Sequence, residues 1–297
     1  MFRQVYVSSL ILLAAVGTAA AMVPQDSAPT VLLVVAHPDD EAMFAGTVYK
    51  IAHELNGNVD LALVTDGSGG FRYAHLAEPI YGLDLTDERV ARQHLPAIRK
   101  QELMAAGKIV GIRNYFFLDQ LDHEYTTNAD TVLRHVWDAA EVLERLRRIM
   151  TRVDYDFVFV HLPMPTVHGH HQAASILALE AARSLDTPTK PIVLASQVGG
   201  EGDTTRIERA AIPGFPITKL RDDTPAFVFD MTQPVDESGR LDYRIVVMWL
   251  IAEHRSQGTM QMLVFGGWDR ERFWLFEAND PESRTATEAL FRRLGGR

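Results

Sequence analysis

Two short stretches carry residue types that could do chemistry. The first is Ala36-His37-Pro38-Asp39-Asp40-Glu41. A histidine nitrogen with a carboxylate oxygen is a zinc-type ligand pair. A second carboxylate beside it, left off the metal, is placed to take a proton from metal-held water. One acid at a helix start needs no explanation beyond capping and the helix dipole. A histidine and two adjacent aspartates ask for more. The second stretch is Val167-His168-Gly169-His170-His171-Gln172, which packs three of the chain's 11 histidines into four positions. A polyhistidine surface turn is the bland alternative. The chain has no cysteine. Thiolate nucleophiles and cysteine-held metals are thereby excluded, so any metal is held by histidine and carboxylate.

Both stretches follow apolar runs. Residues 31–35 are all valine or leucine, the pattern of a strand buried on both faces in a parallel sheet. Pro38 ends that strand, having no N–H for a ladder. Residues 41–55 then read as a helix, with Phe44, Val48, Ile51 and Leu55 on one face and Gly57 as its stop. His37, Asp39 and Asp40 therefore belong to the turn between a strand's carboxyl end and a helix, where open α/β sheets bind ligands. The second stretch repeats this arrangement, with a strand at 157–160 before it and an apolar helix at 173–185 after it. His161, at that strand's end, is a weaker candidate for the same neighbourhood.

Further strands are expected at 59–64, 115–118, 192–196, 227–231 and 272–277, and helices at 86–110 (with a break at Pro96), 130–150, 241–256 and 285–294. Residues 71–85 read as an irregular segment, longer than a simple connection, and 71–96 as a rim or lid. The expected fold class is α/β: a Rossmann-like, mostly parallel sheet with helices on both faces, plus a C-terminal strand and helix extension. The glycine-rich Thr65-Asp66-Gly67-Ser68-Gly69-Gly70 matches no nucleotide fingerprint and reads as a tight turn.

A formal charge of −10 argues against a nucleic-acid partner held through phosphates. Arg3, the apolar run over residues 5–16 and Thr18-Ala19-Ala20-Ala21 have the pattern of a secretory signal peptide over 1–21. A retained anchor is the alternative, although the run is shorter than the ~20 residues of a spanning helix. The expectation is an exported protein, periplasmic or extracellular. It has a flexible lead-in at 22–30 and one domain from 31 to 297, and is without a stable membrane span after cleavage.

The stretch from Ala36 to Glu41 resembles the signature of the PIG-L/LmbE-like zinc-dependent N-acetylglucosamine deacetylases. His168 and His171 fit that family's His-x-x-His. The resemblance implies Zn2+, or another divalent metal, held by His37, Asp40 and His171, with Asp39 as the base and His168 facing the substrate carbonyl. It implies substrate contacts from Asp66, from Arg99 in Arg99-Lys100-Gln101-Glu102-Leu103, from Asp122, and from His254 in His254-Arg255-Ser256-Gln257. The implied substrate is a small N-acylated amino sugar or glycoconjugate. The sequence departs from the family at two places. Gly169 and His170 stand where the family has Pro and Asp, and Asp122 lacks the family's flanking Pro and Gly. The first departure motivates a rival reading, a non-catalytic carbohydrate- or metal-binding protein on the same fold.

Overall fold

The structure is a computed structural model that describes residues 27–186, 190–200, 202, 206–264 and 267–295. The expected signal segment at 1–21 and most of the lead-in lie outside the described residues.

Seven strands form one sheet in the order β3-β2-β1-β4-β5-β7-β6. β1 (Thr30–Val35), β2 (Asn58–Thr65), β3 (Ile112–Gln120), β4 (Phe157–His161) and β5 (Ile192–Gly199) run parallel. β7 (Arg270–Leu275) and β6 (Phe227–Asp230) extend the β5 edge antiparallel. This is the mostly parallel sheet with a C-terminal extension that the sequence implies. β1 alternates between two cores. Val31, Leu33 and Val35 face one apolar cluster with Val48, Ile51, Leu103 and Leu250, and Leu32, Val34 and Ala36 face the other with Leu146, Ala174 and Leu177. Burial on both faces is why the run is continuously apolar.

The helices in chain order are α1 (Ala45–His53), α2 (Glu78–Tyr81), α3 (Glu88–Val110), α4 (Ala129–Thr131), α5 (Ala139–Arg152), α6 (Gly169–Arg183), α7 (Arg244–Glu253), α8 (Met260–Val264) and α9 (Ser283–Arg293). α1, α3 and α7 lie on the Val31 face, and α5 and α6 on the Leu32 face.

Four local expectations are corrected. The helix after the first stretch opens as a 3-10 turn, Asp40–Phe44, before α1 begins. α3 runs through Pro96 unbroken, its first turns held by the Asp87 cap, which accepts from the Val90 N–H at 2.9 Å. The single helix expected at 130–150 is interrupted: a π turn at Val132–Val136 ends in extended Trp137, and Asp138 caps α5 by accepting from the Glu141 N–H. The segment after residue 70 is also more ordered than an irregular loop. A 3-10 stretch, Phe71–Ala77, and α2 bury Ala74, Ala77 and Leu85 against Ala91 and Leu95 of α3 in a small core of their own.

Candidate active site

Four parallel strands end at one place. β1 leads to His37–Asp40, β2 to Asp66–Gly70, β3 to Asp122, and β4 to His161 and then α6. β1 and β4 are neighbours whose onward connections run to opposite faces, so the crevice beyond them is the switch point of the sheet.

Asp39 occupies the N-cap position of the 3-10 turn, yet its side chain makes no capping bond. Pure capping therefore does not account for it. Asp40 turns back instead. Its Oδ2 accepts from the backbone N–H groups of Ala36 at 2.9 Å and His37 at 2.8 Å, and its Oδ1 lies 3.2 Å from His171 Nε2. His37 Nδ1 sits 2.9 Å from the same His171 nitrogen and 3.8 Å from Asp40 Oδ2. Two ring nitrogens and a fixed carboxylate thus converge on one point, from residues 131 positions apart in sequence (171 − 40). A proton can join only one pair of such atoms, whereas a cation serves all three. The N, N, O set suits zinc.

His161 adds its ring 4.3 Å from that of His171, with Nδ1 3.9 Å from Asp40 Oδ2. His168 caps α6, its Nδ1 accepting from the His170 N–H at 3.0 Å. A ring nitrogen that accepts carries no proton, so neutral His168 is protonated on Nε2. His170 is wholly buried, its Nδ1 3.1 Å from His37 Nε2 and 3.5 Å from Asp122 Oδ1. Trp137, delivered by the break before α5, packs on the His170 ring at 5.2 Å and donates its indole N–H to Leu121 O.

Burial opposes every charge here, and the neighbours decide the balance. Burial and the Asp40 carboxylate push Asp39 up to about 6. Asp40 is held well below the usual carboxylate range because His171 and His161 outweigh its burial. Burial lowers His37, but Asp122, Asp40 and Asp39 together raise it to about 9. Burial and the nearby imidazoles depress His168 to about 3, so its ring is neutral.

The residues expected to touch substrate sit deeper. Arg99, 1% exposed, donates to Gly67 O, Gly69 O, Ser256 O and Ser256 Oγ. Ser256 is held in turn by Glu102, which also accepts from the Tyr81 hydroxyl. His254 is fully buried, its Nε2 2.5 Å from Glu41 Oε1. Asp66 accepts from the Ser68 and Asp122 N–H groups. Asp122 accepts from the Gly69 N–H through Oδ2, with Oδ1 3.6 Å from His37 Nε2. Two glycines permit this closeness. A Cβ on Gly67 would lie 2.6 Å from Pro38 Cγ and one on Gly69 2.6 Å from Asp122 Cγ, and Gly67 also has a positive φ.

Sequence reasoning passed over three residues. Glu41 belongs to the first stretch but its partner lies 213 positions away. Trp137 was hidden in an apparently continuous helix. Tyr125, 70% exposed, rests its ring edge-on to His168 at 4.8 Å and lies in a loop without any pattern.

The sequence profile described as PIG-L, GlcNAc-PI de-N-acetylase, matches residues 32–182. A curated relative, the probable N-acetyl-alpha-D-glucosaminyl L-malate deacetylase 2 of Bacillus cereus, is 25% identical over 165 residues. That alignment covers 56% of this chain and 66% of the relative, just under two thirds of its length. Among solved structures, the N,N'-diacetylchitobiose deacetylase of Pyrococcus horikoshii matches with TM-score 0.52 at 18% identity, over 82% of each chain. A deacetylase of an antimicrobial pseudoaglycone matches with TM-score 0.54 at 19% identity, over 85% of this chain and 98% of its own. At these identities the structural likeness is one of fold. The profile spans half the chain and contains both histidine stretches, and the chain belongs to the PIG-L family of de-N-acetylases.

Proposed function

We propose that this protein is a zinc-dependent hydrolase that removes an N-acetyl, or another N-acyl, group from a small amino sugar or glycoconjugate. The observation that carries the reading is the convergence of His37 Nδ1, Asp40 and His171 Nε2 beside an Asp39 that has no capping duty. A zinc ion held by His37, Asp40 and His171 supplies a Lewis acid and an acidified water at that point.

The chain's own residues do the rest. With its carboxyl near 6, Asp39 is ionised at neutral pH and accepts the proton of the attacking water. It returns that proton to the amine nitrogen as the C–N bond breaks, leaving a carboxylate and a free amine. His168, neutral and protonated on Nε2, donates to the amide oxygen as charge builds there. Removal of such a donor costs about a hundred- to a thousandfold in rate. This chain has His170 where the family aspartate would favour an imidazolium, so its first histidine acts as a neutral donor.

Arg99 and Asp66 act as supports, Arg99 bonded to the Gly67–Gly69 turn and Ser256, and Asp66 to the Asp122 backbone. His254 is held by Glu41 through Nε2, while its buried Nδ1 has no partner among the described residues. Tyr125 offers an exposed aromatic face beside His168, suited to a sugar ring. The signal-like N-terminus supports a site of action outside the cytoplasm.

The test is amine release from a panel of N-acylated amino sugars by zinc-loaded wild type and Asp39→Asn. The reading expects release by wild type and a loss of at least ~100-fold in the variant, with bound zinc unchanged. Absence of release from every panel member, with zinc bound, would favour a binding protein instead.

A further inference from the structure

The imidazole of His37 has two nitrogens, and the proposed hydrolase uses one. Its other nitrogen, Nε2, faces a second convergent group. His170 Nδ1 is 3.1 Å from it, Asp122 Oδ1 is 3.6 Å from it, and those two atoms are 3.5 Å apart. Ligand atoms around a tetrahedral ion with bonds of 2.0–2.1 Å lie about 3.3–3.4 Å apart, a value that follows from zinc–nitrogen and zinc–oxygen bond lengths. The three observed edges bracket it.

Protons serve this triangle poorly. Only the His37–His170 edge lies at an ordinary hydrogen-bond length. A proton shared along it leaves Asp122 Oδ1 with just the longer approaches of the two rings, at 3.5 Å and 3.6 Å. The carboxylate is nonetheless aimed. The Gly69 N–H fixes Oδ2 at 3.0 Å and leaves Oδ1 toward the two rings. The His170 ring is fixed as well, by the first turn of α6 and by Trp137. A nitrogen of His168 also lies within 4.8 Å of ligand nitrogens on His37 and His170, but its Nδ1 is engaged by the His170 N–H.

We propose that a second first-row divalent cation, zinc or copper, binds His37 Nε2, His170 Nδ1 and Asp122, so that the His37 imidazolate bridges two ions. Binding displaces the proton of the His37 ring to solvent and forms one metal–nitrogen bond in its place. His170 is then the residue that gives this chain its second site, at the position where the family carries aspartate. The proposal goes beyond the hydrolase reading and shares only His37 with it.

The test is metal content of the full chain after equilibrium dialysis against excess zinc, read by elemental analysis. Two ions per chain are expected for wild type, and one each for His170→Phe and His171→Ala. His170→Gln and Asp122→Asn serve as further variants should His170→Phe fail to fold, each expected to hold one ion. Copper-loaded wild type is expected to show a magnetically coupled pair by electron paramagnetic resonance, with no variant needed. One ion in wild type, two in every folded His170 and Asp122 variant, or two uncoupled coppers would overturn the second site while leaving the hydrolase reading intact. No bound ion at all would overturn both.

Discussion

Glu271 on β7 is wholly buried and reaches the start of α1, where its carboxylate accepts from the N–H groups of Gly46 at 2.7 Å and Thr47 at 2.9 Å. It therefore fixes the helix that follows the Asp39–Asp40 turn. Burial raises its carboxyl from 4.5 to about 7, against the pull of those two backbone bonds. The sign follows from linkage. Below about pH 4.5 the group is protonated in folded and unfolded chains alike and costs nothing. As pH rises toward 7 the unfolded chain ionises first, binds fewer protons than the folded one, and stability falls. Above about 7 both states are ionised and the loss is complete. A shift from 4.5 to about 7 at ~1.4 kcal/mol per unit corresponds to roughly 3 kcal/mol. Glu271→Gln keeps an oxygen for one of the N–H groups and removes the titration. Denaturant unfolding of both proteins at about pH 5 and pH 8 is the assay. Wild type is expected to lose stability relative to Glu271→Gln by roughly 2.5 kcal/mol between those conditions, part of the loss being already present at pH 5. Parallel pH profiles would refute the reasoning.

Two further outcomes test neighbouring parts of the account. Arg99→Lys keeps the charge but cannot span Gly67, Gly69 and Ser256 at once, so a loss of about 2–3 kcal/mol is expected for the first charge-assisted bond forfeited. Denaturation measures that loss, and faster amide exchange at residues 67–70 locates it. Zinc at a hundredfold excess over its dissociation constant is expected to stabilise wild type by about 2.7 kcal/mol per site against thermal unfolding. The same addition is expected to do less for His171→Ala, which lacks one of the converging nitrogens.

The sheet was legible because β1, β2 and β4 are buried on both faces, and double burial writes a continuous apolar run. The converging residues were legible because a parallel strand's end and the next helix's start adjoin in sequence, so His37, Asp40 and His171 appear inside two short stretches. The supporting layer was not. Glu41 with His254, and Glu102 with Ser256, join residues more than 150 positions apart, and sequence spacing carries no trace of such pairs. Arg99 and His254 could be placed near the site by resemblance, but whether their polar atoms face solvent depends on packing. The break at Trp137 was masked because residues 132–146 keep a helical apolar period through it. Only Asp138, a good capping residue, hints at a restart.

The most direct test of the central claim is an anomalous difference map collected at the zinc edge from crystals of the zinc-loaded protein. The account predicts a peak bounded by His37 Nδ1, the Asp40 carboxylate and His171 Nε2. A fully zinc-loaded crystal with no density at that point would contradict it.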